Sequence, residues 1–561
     1  MLYSEFVNIY ESLARISGRL EKTSLLAEFL KNLKSHGKSE WIYLLKGRVF
    51  PDYDPREFGI SDKLAIKAIA KASGVKEEEI LKRYRKIGDL GELAEEFIEK
   101  RKQSTLFHSK LETNKIFDNL KNLAEFEGKG SVEKKLSLIS ELLNSASGKE
   151  AKYIIRTLLS DLRIGAADGV LRDSLASAFF KEEKEMIDKI ESAYDLANDY
   201  AIVFEAASKG KKELEKITIT TGRPMKVMLP IKVDNIEEAF RICGKPAAIE
   251  HKYDGFRVLI NKDEKGNISL FTRRLENVTK QFPDIVEIVN KNIKAKSFII
   301  DSEVVGFNPK TKKYLPFEAI SQRIKRKYDI EKLQKILPVE INVFDIVYYN
   351  NDVLANLPFM ERRKILEKII HTEKLKIRPS MQFVTDNEKK ALVFYHKALK
   401  IGEEGIMIKK LDAPYQPGRR VGYMVKMKPD IADLDLVIVG AEYGSGKRAG
   451  WLTSYIVACK SNSDFLEVGK VSSGLKEKEE QGTSYEEMTK LLKPLIIEER
   501  GKEVRVKPKI VVSVTYQNVQ KSPSYNSGYA LRFPRITHYR PERGIHDIAT
   551  LKEIEKEIKN I

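Results

Sequence analysis

Apolar residues recur at helical spacing through the first part of the chain, residues 1–213. In the run SVEKKLSLISELL, Leu136, Ile139 and Leu143 share one face of a 3.6-residue helix, and Ser131 is placed to cap its start. Glycines and prolines in this part punctuate helical patterns rather than strand patterns. We therefore predict an all-helical N-terminal domain over residues 1–213.

The pattern changes after TGRPMKVMLP (221–230), whose prolines and glycine indicate an extended linker. Strand-like runs then alternate with helical ones, and a further set of strand-like runs ends in a charged helical tail. The strand-like runs are AAIEHKYDG, RVLIN, ISLFTRR, SFIIDSEVVGF and INVFDIVYY, followed by LDLVIVGAEYG, SYIVACK, FLEVGKV and KIVVSVTYQNV. We predict a multidomain α+β protein, with a mixed domain over 214–429 and a small β-barrel with a C-terminal helix over 430–561.

One of these runs, IEHKYDGFRV (249–258), places Glu250, Lys252 and Asp254 two residues apart. A regular strand would present all three side chains on one face. Taken alone, Lys252 is more often a solvated surface lysine than a nucleophile. A lysine attacks only as the neutral amine, and the two acids oppose loss of its proton, so a nucleophilic Lys252 requires other cations nearby.

The charge balance indicates a polyanionic partner. The 561 residues carry a formal net charge of +18, and 42% are hydrophobic, which is typical of a globular protein. Lysine and arginine are spread along the chain rather than gathered in one tail. A nucleic-acid backbone is the simplest partner, although a well-solvated lysine-rich surface would give the same charge.

The two cysteines, Cys243 and Cys459, can build neither a disulfide framework nor a cysteine zinc site. We therefore expect a reducing compartment, the cytoplasm. The N-terminal run lacks the apolar core of a signal peptide, and no stretch approaches the roughly 18 apolar residues of a membrane span. No membrane association is expected.

Six short motifs that contain charged residues follow one another along the chain, and the first of them begins with Lys252. They are KYDGFR (252–257), FTRRLENVT (271–279), IIDSEVVGF (299–307), VFDIVYYN (343–350), EGIMIK (404–409) and VKMK (425–428). In order and spacing they resemble the ATP-dependent DNA ligases, and within them the archaeal type with an N-terminal helical DNA-binding domain. The resemblance spans essentially the whole chain. It implies DNA binding by residues 1–213, an adenylation (nucleotidyltransferase) domain over 214–429 and an OB-fold over 430–561.

The resemblance also implies a role for each matching residue, with Lys252 forming the phosphoramide bond to AMP. Glu250 would contact adenine, Arg257 and Arg273 ribose and phosphate, Phe344 the purine face, Glu303 and Glu404 the sugar or a divalent metal, and Lys409, Arg420, Lys426 and Lys428 the triphosphate. Mg²⁺ or Mn²⁺ is the implied metal, which suits carboxylate and phosphate oxygens. In EGIMIK a regular strand would separate Glu404 from Lys409, so either a bulge occurs or the two approach the ligand from different sides.

Further basic residues are candidates for contact with DNA. Arg163 and Gly165 lie in YIIRTLLSDLRIGAADGVL, where a glycine turn can present backbone N–H groups to phosphates. A bend that only packs helices explains these two residues equally well. Arg532 and Arg535, with Arg540, lie in ALRFPRITHYRPERG, which resembles the last ligase motif and would meet pyrophosphate or the DNA backbone.

Three places differ from a familiar pattern. Glu542 and Arg543 stand where the family commonly has Asp-Lys, and Met424 stands where it often has tryptophan. These changes leave the orientation of the triphosphate open. YGSGKRAGW (443–451) does not have phosphate-loop spacing, and Arg448 replaces the required Ser or Thr, so we predict a turn at a barrel rim.

These expectations combine into a DNA ligase that seals nicks in duplex DNA during replication, recombination and repair, through a lysyl-AMP intermediate. The alternatives are an RNA ligase or mRNA capping type of lysine nucleotidyltransferase, and a non-catalytic nucleic-acid scaffold. We expect a monomer in an archaeal cytoplasm. A sliding clamp is a candidate partner, but no clear clamp-binding peptide is visible, and the range of nucleotide donors beyond ATP stays open.

Overall fold

The computed structural model of the chain describes residues 1–101, 110–128, 130–180, 183–324, 326, 329–429, 433–444, 448, 450–462, 464–477 and 483–559. The chain divides into two compact units. The first comprises Met1–Tyr84 and Asp89–Lys428, and the second comprises Arg85–Gly88 and Pro429–Ile561. Within the described part of the chain, every helix is too short or too polar to span a lipid bilayer.

Helices account for the regular structure of the N-terminal region. They are α1 (Tyr3–Arg15), α2 (Arg19–Ser35), α3 (Asp62–Ser73), α4 (Glu77–Ile87), α5 (Leu90–Glu99), α6 (Thr113–Glu125), α7 (Ser131–Ser145), α8 (Gly148–Leu158), α9 (Asp168–Phe179), α10 (Glu183–Ala197), α11 (Tyr200–Lys209) and α12 (Lys211–Glu215), with a 3₁₀ helix at Ser39–Lys46. Their apolar faces meet in one core, in which Ile139 and Leu143 of α7 are fully buried. The predicted stripe is present, but Gly130 precedes α7 in a left-handed conformation, and Ser131 is the first helical residue instead of the cap.

The segment 221–230 carries no helix or strand, as its composition predicts, yet it is not a free linker. Met225, Val227 and Met228 are buried against the sheet residues that follow them. The Met228 carbonyl accepts a hydrogen bond of 2.8 Å from the Arg257 guanidinium. This segment therefore forms part of the packing around the central sheets.

Two sheets follow in the first unit. The strands are β1 (Ile231–Val233), β2 (Ala247–Lys252), β3 (Phe256–Lys262), β4 (Ile268–Thr272), β5 (Phe298–Gly306), β6 (Val339–Tyr349), β7 (Asp352–Val353), β8 (Ile377–Pro379), β9 (Gln382–Thr385), β10 (Gly405–Lys410) and β11 (Met424–Met427). The helices between them are α13 (Ile236–Cys243), α14 (Pro283–Asn292), α15 (Phe317–Ile324), α16 (Ile330–Ile336), α17 (Phe359–Ile369) and α18 (Glu388–Lys400). Among the described residues, the first sheet has the order β1-β11-β10-β2-β9 and the second β4-β3-β5-β6-β7, with β8 beside β6.

The first of these sheets separates an apolar face from a polar one. Ile249 of β2, Ile406 and Ile408 of β10 and Val425 of β11 are buried against helices α13 and α18. Because strand residues alternate between faces, the residues between them point to the other side. The opposite face therefore receives the charged residues of the same strands.

The second unit is rich in strands. They are β12 (Leu434–Tyr443), β13 (Leu452–Ser461), β14 (Asp464–Val471), β15 (Ile496–Arg500), β16 (Glu503–Val506), β17 (Val511–Thr515), β18 (Val519–Lys521), β19 (Tyr529–Leu531) and β20 (Arg535–Tyr539), with α19 (Tyr485–Leu492) and a terminal α20 (Leu551–Lys559). Strand β12 pairs with β13, β16 and β17, and β17 also pairs with β20. The predicted turn in YGSGKRAGW falls partly on residues 445–447 and 449, which lie outside the described residues.

Candidate active site

The polar face of the first sheet carries the candidate nucleophile. In the β2–β10 register Lys252 lies opposite Gly405, and Glu250 lies opposite Met407. Met407 in turn lies opposite Lys426 of β11. The sheet therefore brings together Glu250, Lys252 and Lys426, and the spacing of the sequence predicts the shared face of Glu250 and Lys252. Asp254 differs from the prediction, because β2 ends at Lys252 and Asp254 lies in a bend.

Lys252 Nζ forms an ion pair with Oε2 of Glu404. Lys428 Nζ lies 2.5 Å from the same oxygen. Burial acts to raise the pKa of Glu404, but the charges of Lys252 and Lys428 outweigh it and lower this pKa to about 2. Glu404 is therefore a charged carboxylate that two lysines share.

The position of Glu404 decides between the two arrangements expected for EGIMIK. Pairing of β10 with β2 proceeds without a register shift, and Glu404 precedes the strand, with its backbone N–H 3.0 Å from the Lys252 carbonyl. Lys409, near the other end of β10, contacts Glu250 instead. Glu404 and Lys409 thus serve different parts of the site.

Gly405 allows the strands to approach closely at this point. Its φ is +146°, and a Cβ on it would lie 2.2 Å from the Met427 carbonyl oxygen and 3.2 Å from Lys428 Cα. Only glycine fits here without displacing β11. The same residue is the partner of Lys252 in the sheet, so it holds Lys428 close to the nucleophile.

Cations converge beside Lys252. Burial first, and then the charges of Lys428, Lys252, Arg273 and Arg420, lower the pKa of Lys426. Burial followed by Lys252 likewise lowers the pKa of Lys428. The cluster therefore supplies the positive field that a nucleophilic lysine requires and that a triphosphate would neutralise.

Glu303 of β5 approaches this cluster from the second sheet. Burial raises its pKa to about 7, although Lys252 and Arg257 act against that rise. Gly255, in the turn between Lys252 and β3, makes the approach feasible, since a Cβ there would lie 2.4 Å from the Val304 carbonyl oxygen. The glycine of the KYDG motif thus lets the turn between β2 and β3 lie against β5.

The comparisons with known proteins assign these features to a family. The description "ATP dependent DNA ligase domain" matches residues 227–428, "DNA ligase N terminus" matches residues 2–176, and "ATP dependent DNA ligase C terminal region" matches residues 448–543. A DNA ligase of Nanoarchaeum equitans is 46% identical over 562 residues, covering 99% of this chain and 98% of that protein. The chain belongs to the ATP-dependent DNA ligases. The predicted enzyme class and its use of ATP are thereby confirmed.

Other relatives of the ligase agree with this assignment. A DNA ligase of Thermococcus fumicolans is 40% identical over 557 residues, covering 99% of this chain and 98% of its own. The solved structure Pmar-Lig_PreS3 aligns with a TM-score of 0.58 and 18% identity over 95% of this chain and 99% of that one. This structure shows a shared fold, in line with the predicted multidomain α+β class.

Three residues that are predicted to contact the nucleotide, Glu250, Lys409 and Phe344, lie close together although Phe344 belongs to the second sheet. Lys409 Nζ is 2.8 Å from Glu250 Oε2 and 4.7 Å from the centroid of the Phe344 ring. Lys409 therefore lies with the expected adenine contacts, whereas the resemblance implied a place near the triphosphate. Sequence position alone could not reveal this, because β2, β6 and β10 meet only in the folded chain.

Arg257 is engaged by protein groups. Its guanidinium donates to both oxygens of Asp301, with Nε 2.8 Å from Oδ1, and lies 5.3 Å from the Phe344 centroid. Asp301 also accepts a hydrogen bond of 2.6 Å from the Tyr415 hydroxyl. The Asp-x-Glu spacing in IIDSEV could have indicated Asp301, since it shares a strand face with Glu303. Nothing in the sequence pattern points to Tyr415.

Glu403 is a further buried acid that the sequence analysis missed. Burial raises its pKa to about 8, helped by Asp254 and Glu404 and opposed by Arg378 and Lys252. It precedes Glu404, whose pKa moves in the opposite direction. Two adjacent glutamates in one sequence thus differ in charge at neutral pH, which the letters alone do not reveal.

The candidate DNA contacts lie in both units of the ligase. Arg163 and Gly165 have left-handed backbones, and Arg163 pairs with Asp161 at 2.6 Å and Asp89 at 3.0 Å. In the second unit Arg535 begins β20 and is exposed, whereas the Arg532 guanidinium lies 5.1 Å from the Phe533 ring. Their contact with DNA stays a prediction.

Proposed function

We propose that the chain seals nicks in duplex DNA through a covalent AMP on Lys252, as an ATP-dependent ligase with the three domains predicted from its sequence. The observation that carries the proposal is the placement of Lys252 beside Glu404, Lys426 and Lys428. The family supports ATP and DNA as the substrates.

In the first step Lys252 releases a proton to solvent, and the neutral Nζ attacks the α-phosphorus of ATP, so that an N–P bond forms and the bond to pyrophosphate breaks. Because Lys428 contacts the same Glu404 oxygen, the attraction between Glu404 and the Lys252 amine is weaker than it would be if Lys252 were the only partner of this carboxylate. Arg273, Arg420, Lys426 and Lys428 stabilise the charge that develops on the leaving pyrophosphate. Their proximity is evident from their mutual effects on pKa.

The second and third steps use the adenylate on DNA. The 5′-phosphate at the nick takes AMP from Lys252, and the neighbouring 3′-hydroxyl then displaces AMP and forms the phosphodiester bond. Arg163, Gly165, Arg532 and Arg535 are the proposed contacts to the backbone. Backbone contacts suit an enzyme that accepts any sequence, since phosphates carry no base information.

The donor set fits a magnesium or manganese ion. No group of three or more His, Cys, Asp or Glu in the described part of the chain could hold a metal. Glu303 and Glu404 interact with each other and with Lys252, so they would hold the ion together with phosphate and water oxygens, which is the usual environment of Mg²⁺. A divalent ion bound there would neutralise phosphate charge. It would also relieve the repulsion between the two carboxylates, which helps to raise the pKa of Glu303.

Labelled donors test the proposal. The chain is incubated with labelled ATP, GTP or NAD and then given nicked DNA or nicked RNA. We expect label on the protein from ATP and sealed DNA, with neither in Lys252→Ala. Lys262→Ala, on neighbouring β3, is the matched lysine control and should behave as wild type.

A preadenylated nick separates the steps. Lys252→Ala should still seal such a nick, because the third step does not use the amine. Label from GTP alone, or sealing of RNA in preference to DNA, would instead support the capping or RNA ligase alternatives. No label from any donor in the wild type would contradict the proposed function.

A further inference from the structure

The carboxylate of Glu250 is held on both oxygens. Glu250 is only 1% exposed. Its Oε2 pairs with Lys409 at 2.8 Å, and its Oε1 accepts a hydrogen bond of 3.0 Å from Gln382 Nε2. Arg363 approaches Oε1 at 3.7 Å. A buried carboxylate with this many partners has a fixed orientation.

Gln382, like Arg363, lies outside the six motifs of the sequence. It begins the edge strand β9, directly opposite Glu250 in the register, and is half-buried. Because Glu250 offers only acceptor oxygens, the Gln382 amide must turn its NH₂ group toward that acid. Gln382 therefore fixes Glu250 without supplying charge.

Lys409 links Glu250 to the Phe344 ring. Lys409 Nζ, which pairs with Glu250, is also 4.7 Å from the Phe344 ring centroid, and the Phe344 carbonyl accepts a hydrogen bond of 3.2 Å from it. A planar base on Phe344 would thus present its edge to the acid. A charged carboxylate accepts from a 6-amino group, whereas it meets a 6-oxo group with two acceptors facing each other.

We propose that Gln382 is a positioning residue that, with Lys409, holds Glu250 as an acceptor-only group and so selects 6-amino purine nucleotides over 6-oxo purine nucleotides. The inference rests on the proposed function and deepens it. It concerns the base rather than the leaving group. Donors that share adenine are therefore distinguished elsewhere in the site.

Two variants of Gln382 test the inference. Gln382→Leu removes the donor, so Glu250 loses one restraint, and KM for ATP in lysyl-AMP formation should rise about tenfold with kcat little changed. The ratio of kcat/KM for ATP to that for ITP should fall at least about fivefold. Gln382→Glu places two carboxyl groups side by side, which then share a proton. The resulting O–H can donate to a 6-oxo group, so the relative use of ITP and GTP should increase.

Met381→Ala is the matched control, since Met381 adjoins Gln382 and exposes 47% of its surface. It should keep the wild-type preference for ATP over ITP. If the wild type takes label from ATP but both Gln382 variants retain the wild-type ATP:ITP ratio, the inference is wrong while the proposed function stands. If no nucleotide labels the wild type, both are wrong. Unchanged melting temperatures show that the variants are folded.

Discussion

Lys252 and Lys428 contact the same carboxylate oxygen, Oε2 of Glu404. Glu404→Gln keeps the shape of this side chain but removes its charge, so both lysines lose their common partner and the candidate metal loses a ligand. We expect the rate of lysyl-AMP formation to fall by about 10²–10³. Single-turnover labelling with ATP measures it.

The neighbouring glutamate provides the control for this substitution. Burial raises the pKa of Glu403 to about 8, so its carboxyl group is mostly neutral at pH 7 and resembles an amide. Glu403→Gln should therefore alter the labelling rate by less than about threefold. Equal losses in both variants would contradict the assignment of separate states to the two acids.

Helix α10 of the N-terminal region contacts the loop that precedes β11. The Asp195 carboxylate pairs with Lys226 at 3.0 Å. It also lies against Gly418, where a Cβ would come within 2.3 Å of Asp195 Oδ2. Glu191, also on α10, pairs with Arg419 at 3.0 Å. Arg420, a predicted triphosphate contact, follows Arg419 directly in this loop. Asp195→Ala should therefore loosen the placement of Arg420 and raise KM for ATP about three- to tenfold, with a smaller effect on kcat.

Asp188→Ala is the comparison for this effect, because its contact with Arg419 is 3.9 Å long and its side chain is 78% exposed. It should leave KM for ATP near the wild-type value. Steady-state labelling without DNA gives both constants. An unchanged KM in Asp195→Ala would show that the helix does not position this loop.

The contribution of Asp89 to the free energy of unfolding should change with pH. Its carboxylate caps α5 and pairs with Arg156 at 2.6 Å, and both residues are buried. Burial acts to raise its pKa, but Arg156 and Arg163 outweigh it and lower the pKa. Asp89→Asn should reduce the free energy of unfolding by about 3 kcal/mol at pH 7.

The sign of the pH effect follows from the lowered pKa. The carboxylate contributes fully above the unfolded value of about 4, and that contribution is lost as the pH falls toward the folded value. The difference between wild type and Asp89→Asn should therefore narrow below about pH 4. Urea unfolding at several pH values measures it, and a difference that widens in acid would contradict the pairing.

Arg535 allows a test of DNA contact by salt dependence. It is exposed at the start of β20, so Arg535→Gln should not change the melting temperature. If the guanidinium meets a DNA phosphate, the slope of log K against log salt concentration should fall by about 1. If it meets pyrophosphate instead, the slope stays and the KM for ATP rises.

Much of the site could be predicted because strand alternation is visible in the letters. Glu250 and Lys252 fall two apart in one run, and the sheet places them on one face with Lys426 of β11. Ile249, Val425 and Met427 of the same runs form part of the opposite, buried face. The alternation of residues within one strand was therefore enough to predict which of its side chains share a face.

What the sequence could not reveal depends on contacts between distant strands. Lys409 pairs with Glu250, and Gln382 joins them from β9, although 132 positions separate Gln382 from Glu250. Asp254 was placed with the strand by spacing alone, but β2 ends two residues earlier. The opposite charge states of Glu403 and Glu404 likewise arise from burial and neighbours that only folding creates.

Gly405 has a consequence for the timing of the reaction. Because Gly405 has no side chain, β2, β10 and β11 approach closely, and Lys252, Glu404 and Lys428 meet at one end of these strands. These three groups all belong to the first compact unit of the chain. We therefore expect lysyl-AMP to form before the protein binds a nick, so that the nucleotide is already in place when the DNA arrives.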